Sequence, residues 1–394
     1  MKPNQLIVDQ GIPRQLLLII TVMAALTVAN LHYNVPVLDS IRQSLGVTQV
    51  QANLITVFTQ AGYAAGLLFI VSLGDLLDAR RVIGINFVVL VFSLLTFAFG
   101  RSIEVLWLAS IFTGLSSVAV QMYIPMISKY SRPEEKERNV GYIVSGVIIG
   151  VLIGRVVGGI IGEWFGWRNL YVAAAVLMVV CCVVLFWLIP PVKADFKGTY
   201  GQLMKSIFGI IRENPRIVGM AVRSALCFAS FNTLWACMAF HLASPPFCVG
   251  SAVVGYLGLC GILTALAAAG IGKYVAVVGV KRFNITGFLV MLLAWGILLW
   301  SGDTYAGLVV GIILVDVGQQ FVSLSNQATA LAISPKTTNR INTFYMTVFF
   351  VGGSMGTFLA GQGWKILGWE GVVLVGSVLV VLPFVSVFGM HKKQ

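Results

Sequence analysis

Phe165-Gly166-Trp167-Arg168 returns as Leu367-Gly368-Trp369-Glu370, and the segment from Asp75 to Arg81 returns around Ala276 to Arg282. The two repeats share an offset of about two hundred residues, half of the 394-residue chain, so the sequence is a duplication. Outward from these marks, each copy is a series of apolar runs close to the length a helix needs to cross a hydrocarbon core of about 30 Å at about 1.5 Å per residue. Hydrophobic residues make up 58% of the chain and charged residues 10%, too few charges to clothe a soluble domain of this size. The chain must use lipid as its solvent.

Twelve spans are predicted, at 16–36, 54–73, 82–99, 105–127, 140–162, 169–189, 218–240, 251–272, 281–300, 305–327, 342–363 and 371–390. The first run, Leu16 to Pro36, is of spanning length with no small-residue cleavage site after it, and reads as a permanent helix rather than a signal peptide. An even number of spans places both termini on one side. Arg42, Arg101, Arg168 and Lys365 fall on the other side and Arg155 and Arg223 inside spans, leaving the remaining twenty of 26 basic residues with the termini. Cytoplasmic loops retain positive charge, so the termini are predicted to be cytoplasmic. The net charge of +12 then reflects topology and contact with anionic lipid, not nucleic-acid binding.

The six cysteines lie mostly within apolar runs, without Cys-x-x-Cys spacing, and read as packing residues. Cys248 alone falls in a predicted outward loop. Pro190 to Pro215 is the longest segment between spans, and Tyr200 to Arg212 within it spaces Leu203, Ile207, Ile210 and Ile211 as one helical face among basic residues. Either a surface helix or an unstructured tether fits that stretch. The expected organisation is a six-helix bundle at 1–190, a cytoplasmic linker at 191–217 and a second six-helix bundle at 218–394.

Two six-helix halves in parallel, joined by a basic linker, is an arrangement found in a large transporter class. The loop Leu73-Gly74-Asp75-Leu76-Leu77-Asp78-Ala79-Arg80-Arg81-Val82-Ile83 is similar to the signature of the major facilitator superfamily at Leu73, Asp75, Arg80 and Ile83. It departs at Val71, Leu76, Asp78 and Ala79, where the family prefers Gly, Arg, Gly and Arg. The second copy keeps Gly272, Gly279, Lys281 and Arg282 and has Ala276 in place of the acid. The resemblance covers essentially the whole chain and implies an all-α membrane protein of twelve transmembrane helices in two pseudosymmetric halves. An acid at the end of one helix can pair with a base or a helix N-terminus of the other half. Asp75, Arg80, Arg81, Lys281 and Arg282 are therefore candidates for an inner gate, the alternative being charge that only sets topology.

In the fifth span Gly146, Gly150, Gly154, Gly158 and Gly159 recur along one face, which permits close helix approach for docking or sliding. The pattern is similar to the fifth-span signature of proton-driven exporters of the superfamily, with Arg155 where that signature has proline. The eleventh span repeats the theme in Gly352, Gly353, Gly356 and Gly361.

A charge well inside a span costs at least about 2.5 kcal/mol on insertion scales and is normally paired and functional. Of the fourteen acids, Asp316 is the one near the middle of a span. The superfamily resemblance places the fifth span beside the tenth, which implies an Arg155–Asp316 pair. Arg223 is the rival partner, though near enough to a span end to snorkel. Such a pair suits a proton-exchange site that protonation opens, or a permanent bridge between halves.

Asn30, Asn34, Gln121, Tyr123, Asn232, Trp235, Gln319, Gln320 and Asn326, with His32 and Gln60, are polar or amphipathic residues inside spans. The resemblance puts spans 1, 4, 7 and 10 around a central cavity, so these residues are expected to meet substrate. Amides and aromatics suit a neutral or amphipathic organic molecule better than a metal ion, and neither metal nor cofactor is expected. His32 could titrate near neutrality or serve in packing. Val315 to Asn326, followed by Asn342-Thr343-Phe344-Tyr345-Met346, looks like a subgroup of bacterial efflux transporters of the drug:proton antiporter kind. Ser110 departs from it, standing where many exporters carry a basic residue.

No zinc spacing, nucleophile elbow, phosphate loop or Walker motif is present, which excludes the enzymes and nucleotide-driven pumps those motifs mark. The sequence predicts a bacterial inner-membrane transporter, acting as a single chain, that exports small organic molecules in exchange for protons by alternating access. Import of a small anionic or neutral metabolite is the alternative. The expected partners are substrate, protons and membrane lipid.

Overall fold

The computed structural model describes residues 7–191, 198–264, 278–334 and 337–388, and all regular structure among them is helical. The first half comprises α1 (Arg14–Ala29), α2 (Asn34–Leu45), α3 (Gln49–Phe69), α4 (Ala79–Phe99), α5 (Ile103–Ser116), α6 (Val120–Tyr130), α7 (Lys136–Trp164) and α8 (Trp167–Leu188). A connecting helix α9 (Tyr200–Glu213) leads to α10 (Pro215–Ala243), α11 (Ser251–Leu257), α12 (Val280–Ser301), α13 (Tyr305–Ala332) and α14 (Thr338–Phe388). Ten helical stretches among the described residues are long and apolar enough to cross a membrane. They account for eleven of the twelve predicted spans, because α14 runs the last two together around Gly368, at φ 60°. The predicted eighth span begins as the apolar stretch Ser251–Thr264, beyond which it leaves the described residues.

The repeated Gly-Trp pair now has a conformational reason. Gly166 sits at φ 84° before α8 and Gly368 at φ 60° inside α14, left-handed positions that a side chain would strain. Both turn the chain between consecutive antiparallel spans. Thr48 and Gln51 form a capping box at the start of α3, Asp78 caps α4 by accepting from the Arg80 N–H, and Thr199 and Gln202 cap α9. The helical reading of the linker is correct: α9 buries Leu203, Ile207 and Ile211 and exposes its basic face.

Three predicted spans are broken. The first divides at Asn30–Tyr33, where Pro36 cannot donate to the His32 carbonyl one turn back. The fourth passes through a 3₁₀ turn, Ser117–Ala119, between α5 and α6. The predicted eighth span tightens at Gly258 and Leu259, where Gly258, Leu259, Gly261 and Ile262 donate to carbonyls three residues back at 2.9–3.1 Å.

Within the first half α1 packs on α7, α3 on α5 and α4 on α8; in the second, α10 packs on α14 and α12 on both α13 and α14. The halves meet through α3 against α14, α7 against α11, and α2 against α10. This corrects one expectation: the helix that opposes the fifth span is the eighth, not the tenth. The glycine face of α7 does admit close approach, and the structure shows by what. A Cβ at Gly146 would fall 2.6 Å from the Thr21 carbonyl oxygen and one at Gly154 2.7 Å from that of Ala29, with Gly150 on Ala25 and Gly158 on Tyr33. Those four glycines dock α7 on its own half. Gly159 alone among the five turns to the other half, with Ser251 O 2.5 Å from its Cβ position.

Candidate substrate and coupling site

Arg155 lies about two-thirds of the way along α7, buried where the break in the first span and the break in the eighth converge. The Cβ position of Gly154 is 3.0 Å from His32 Cβ, and that of Gly258 is 3.0 Å from Arg155 Cβ. Absence of side chains at 154 and 258 is what lets two backbones close on the arginine. Its guanidinium carbon stands 3.9 Å from the Trp235 ring centre and 5.7 Å from that of Phe231, both on α10. A cation over an indole face, shielded from water, is held by about 2 kcal/mol.

Asp316, on α13, is buried and accepts a 2.6 Å hydrogen bond from the Thr264 hydroxyl. Among the described residues no ion pair within 4.0 Å joins Asp316 to Arg155; the eighth span meets both, Gly258 facing Arg155 and the Cβ position of Gly261 lying 3.1 Å from Leu152 of α7 and 3.9 Å from Asp316 Oδ2. The expected direct pair is thus open in this structure. Arg223 is not its rival. Its Nη2 donates to Asn326 Oδ1 at 3.4 Å, and Asn326 is about 15 Å along α13 from Asp316 by helix rise. Nor does Arg223 snorkel: it is buried in a polar cluster where Asn326 donates to Asn284 at 2.7 Å and Tyr345 to Ser224 at 2.5 Å.

Other cavity candidates divide. Gln60 donates to Asn232 at 2.7 Å, bridging the halves, and Gln121 donates to the Tyr63 hydroxyl at 3.1 Å. Asn34 donates to Thr56 at 3.3 Å. Asn30 spends its amide on the carbonyls of Leu26 and Thr27 and on Met178 of α8, Tyr123 is fully buried, and Gln319 donates along its own helix to Ser323. Gln320 is half-buried on the turn next to Gln319. Arg155 Nε, Trp235 Nε1 and Gln60 Oε1 are buried with no hydrogen-bond partner among the described residues, as is Tyr123 OH. The first three belong to elements that meet between the halves, where a polar ligand would satisfy them.

In the predicted gate, Asp75 ends a 3₁₀ turn, Val71–Asp75, and its side chain lies outside the described residues, as do Gly272 and Ala276 of the second copy. Arg80 packs over Phe186 of its own half and donates to the Phe186 carbonyl, and Arg81 approaches Asp78 at 4.0 Å. Lys281 and Arg282 start α12. A contact of that kind, an acid of one half on a helix start of the other, is present at the opposite end of the bundle. Glu163 Oε2, at the end of α7, accepts from the Ala252 N–H at 2.7 Å, and Ser251 donates to the Gly159 carbonyl at 2.9 Å. Sequence reading missed Glu163, Thr264 and Phe231, although the spacing of Gly250, Gly255, Gly258 and Gly261 marked the eighth span as a close-contact helix.

The model of the Major Facilitator Superfamily matches residues 17–357. The chain belongs to the Major Facilitator Superfamily. It is similar to the Uncharacterized transporter YgaY of Escherichia coli O157:H7, at 33% identity over 382 residues and 96% of each chain. Its fold matches the crystal structure of the nucleoside transporter NupG, with a TM-score of 0.75 at 16% identity, covering 96% of this chain and 100% of that one. A bacterial homolog to the human lysosomal transporter Spinster, in an inward-facing and unoccupied conformation, matches with a TM-score of 0.74 at 14% identity, covering 95% and 93%. This superfamily member is a multi-pass membrane transporter and not an enzyme.

Proposed function

We propose that this transporter exports small organic molecules from the bacterial cytoplasm in exchange for protons, as a drug:proton antiporter-like carrier of the inner membrane with both termini cytoplasmic. The observation that carries the reading is a buried base of one half, Arg155, and a buried acid of the other, Asp316, that meet the same span with no ion pair within 4.0 Å between them. Asp316 takes up and releases the proton, and its carboxyl accepts from Thr264 in the conformation described here. Arg155 moves toward Asp316 when the carboxylate is bare and rests on Trp235 when it is not. A neutral or amphipathic substrate competes for the same indole face and for the amides of Gln60 and Asn232.

With the termini cytoplasmic, the hydrogen bonds between halves (Gln49–Trp364, Asn53–Thr357, Val57–Ser354, Glu163–Ala252) close the outer end. This conformation is then the one that receives substrate from the cytoplasm. Asp75, Arg80, Arg81, Lys281 and Arg282 form the inner gate that closes when it rocks over.

The open pair also favours a second reading, import of an anionic metabolite whose carboxylate binds Arg155. Flux of organic cations, neutral compounds and carboxylates in vesicles under an imposed pH gradient, native against Asp316→Asn, separates the two. Loss of gradient-driven efflux by at least about tenfold, with substrate exchange retained, is expected. Equal efflux in both proteins overturns proton coupling at Asp316, and flux of carboxylates alone supports import.

A further inference from the structure

The seam between α3 and α14 is closed at one end and split at the other. Asn53 donates to the Thr357 carbonyl at 2.7 Å and Ser354 to the Val57 carbonyl at 3.0 Å. Beyond Val57, toward the end of the bundle that carries the termini, the two helices part into a groove of about 510 Å3 open to the side. Ala61, Ala64 and Ala65 form one wall, and Val351, Met355 and Phe358 the other. Val351, Met355 and Phe358 keep exposed apolar surface there, and in a chain that spans a membrane that surface meets acyl chains.

The chemistry of the walls selects the occupant. Their two hydroxyls are engaged: Ser354 donates to Val57 O, and Thr347 donates to Thr343 O at 2.7 Å. Neither hydroxyl keeps a free donor for a polar ligand, whereas small alanines opposite bulky residues leave room for a hydrocarbon chain. Inward, the Tyr63 and Phe350 rings meet at 4.4 Å between centres and separate the groove from Gln121, which donates to the Tyr63 hydroxyl. At the mouth, the Tyr200 hydroxyl at the start of α9 donates to the Phe69 carbonyl at 3.2 Å, one residue from Leu68 of the lining. Exposed Lys205 follows about 7.5 Å along α9.

We infer that this groove is a specific site for one acyl chain of an anionic bilayer phospholipid, with its headgroup against the basic face of α9. The chain fills the split in the seam between halves, so the bound lipid favours the conformation described here. A basic surface helix beside an apolar slot matches an anionic headgroup above a hydrocarbon tail.

The test is native mass spectrometry of the full-length protein, exposed to equal amounts of phosphatidylglycerol and phosphatidylcholine with matched chains. Native protein should retain one lipid, chiefly phosphatidylglycerol, and Ala65→Phe should retain at least about fivefold less. Lys205→Gln should hold lipid while losing the headgroup preference, and Val88→Phe, on an exposed position of α4, should behave as native. If Ala65→Phe does not fold, Ala61→Leu serves in its place. Equal retention in the native and groove-filled proteins overturns the inference, as does an equal loss in Val88→Phe. Displacement by a transported compound but not by excess phosphatidylglycerol also overturns it, by assigning the groove to substrate. None of these readouts depends on flux, so failure of the antiport reading would leave them intact.

Discussion

Arg155 sits where solvent is excluded and its carboxylate neighbour is bound to Thr264, so the indole beneath it carries much of what stabilises the charge. Removing that ring should cost about 2 kcal/mol, or roughly thirtyfold in apparent affinity for a substrate that uses the same face. Trp235→Ala is accordingly expected to lower flux at limiting substrate by about that factor, and Trp235→Phe by much less. Concentration-dependent uptake into vesicles measures this, and unchanged flux in Trp235→Ala would remove Trp235 from the binding surface. Arg155 and Asp316 were legible in the sequence because a charge in apolar text is conspicuous and expensive. Thr264 was not, since a threonine in a helix commonly donates to its own backbone and nothing local announces a partner fifty-two residues away.

Glycine spacing in α7 predicted close approach but not what approaches. The face from Gly146 to Gly158 is filled by α1 and the start of α2, and Gly159 by α11. Gly154→Leu would drive a side chain into the Ala29 carbonyl and His32, an overpacking that costs about 1–3 kcal/mol. Thermal unfolding in detergent should show a clearly lowered midpoint for Gly154→Leu and little change for Gly141→Leu, whose Cβ position meets nothing within 4 Å. Equal midpoints would mean that the α1–α7 contact is looser than its geometry. Breaks in the first and eighth spans were invisible to hydropathy, because an apolar window scores composition and is indifferent to a residue or two of unwound backbone. Pro36 was the one local signal, and its consequence at His32 appears only once α2 is seen to begin at Asn34.

For the whole molecule, the halves touch mainly at one end. A Cβ built at Gly361 would lie 3.7 Å from that of Asn53, within the range a disulfide needs. Asn53→Cys with Gly361→Cys should therefore cross-link on oxidation and arrest flux, and reduction should restore it. Full transport by the cross-linked protein would show that this end does not open during the cycle. Span number and duplication followed from the sequence alone, because the length of an apolar run and its repetition are properties of the chain read in order. Which helix faces which was decided only in three dimensions. In lipid every helix surface is apolar, so partners are chosen by small residues and backbone breaks that match across hundreds of residues. That choice set the eighth span rather than the tenth against Arg155, placed the inter-half acid at Glu163, and opened a groove between α3 and α14.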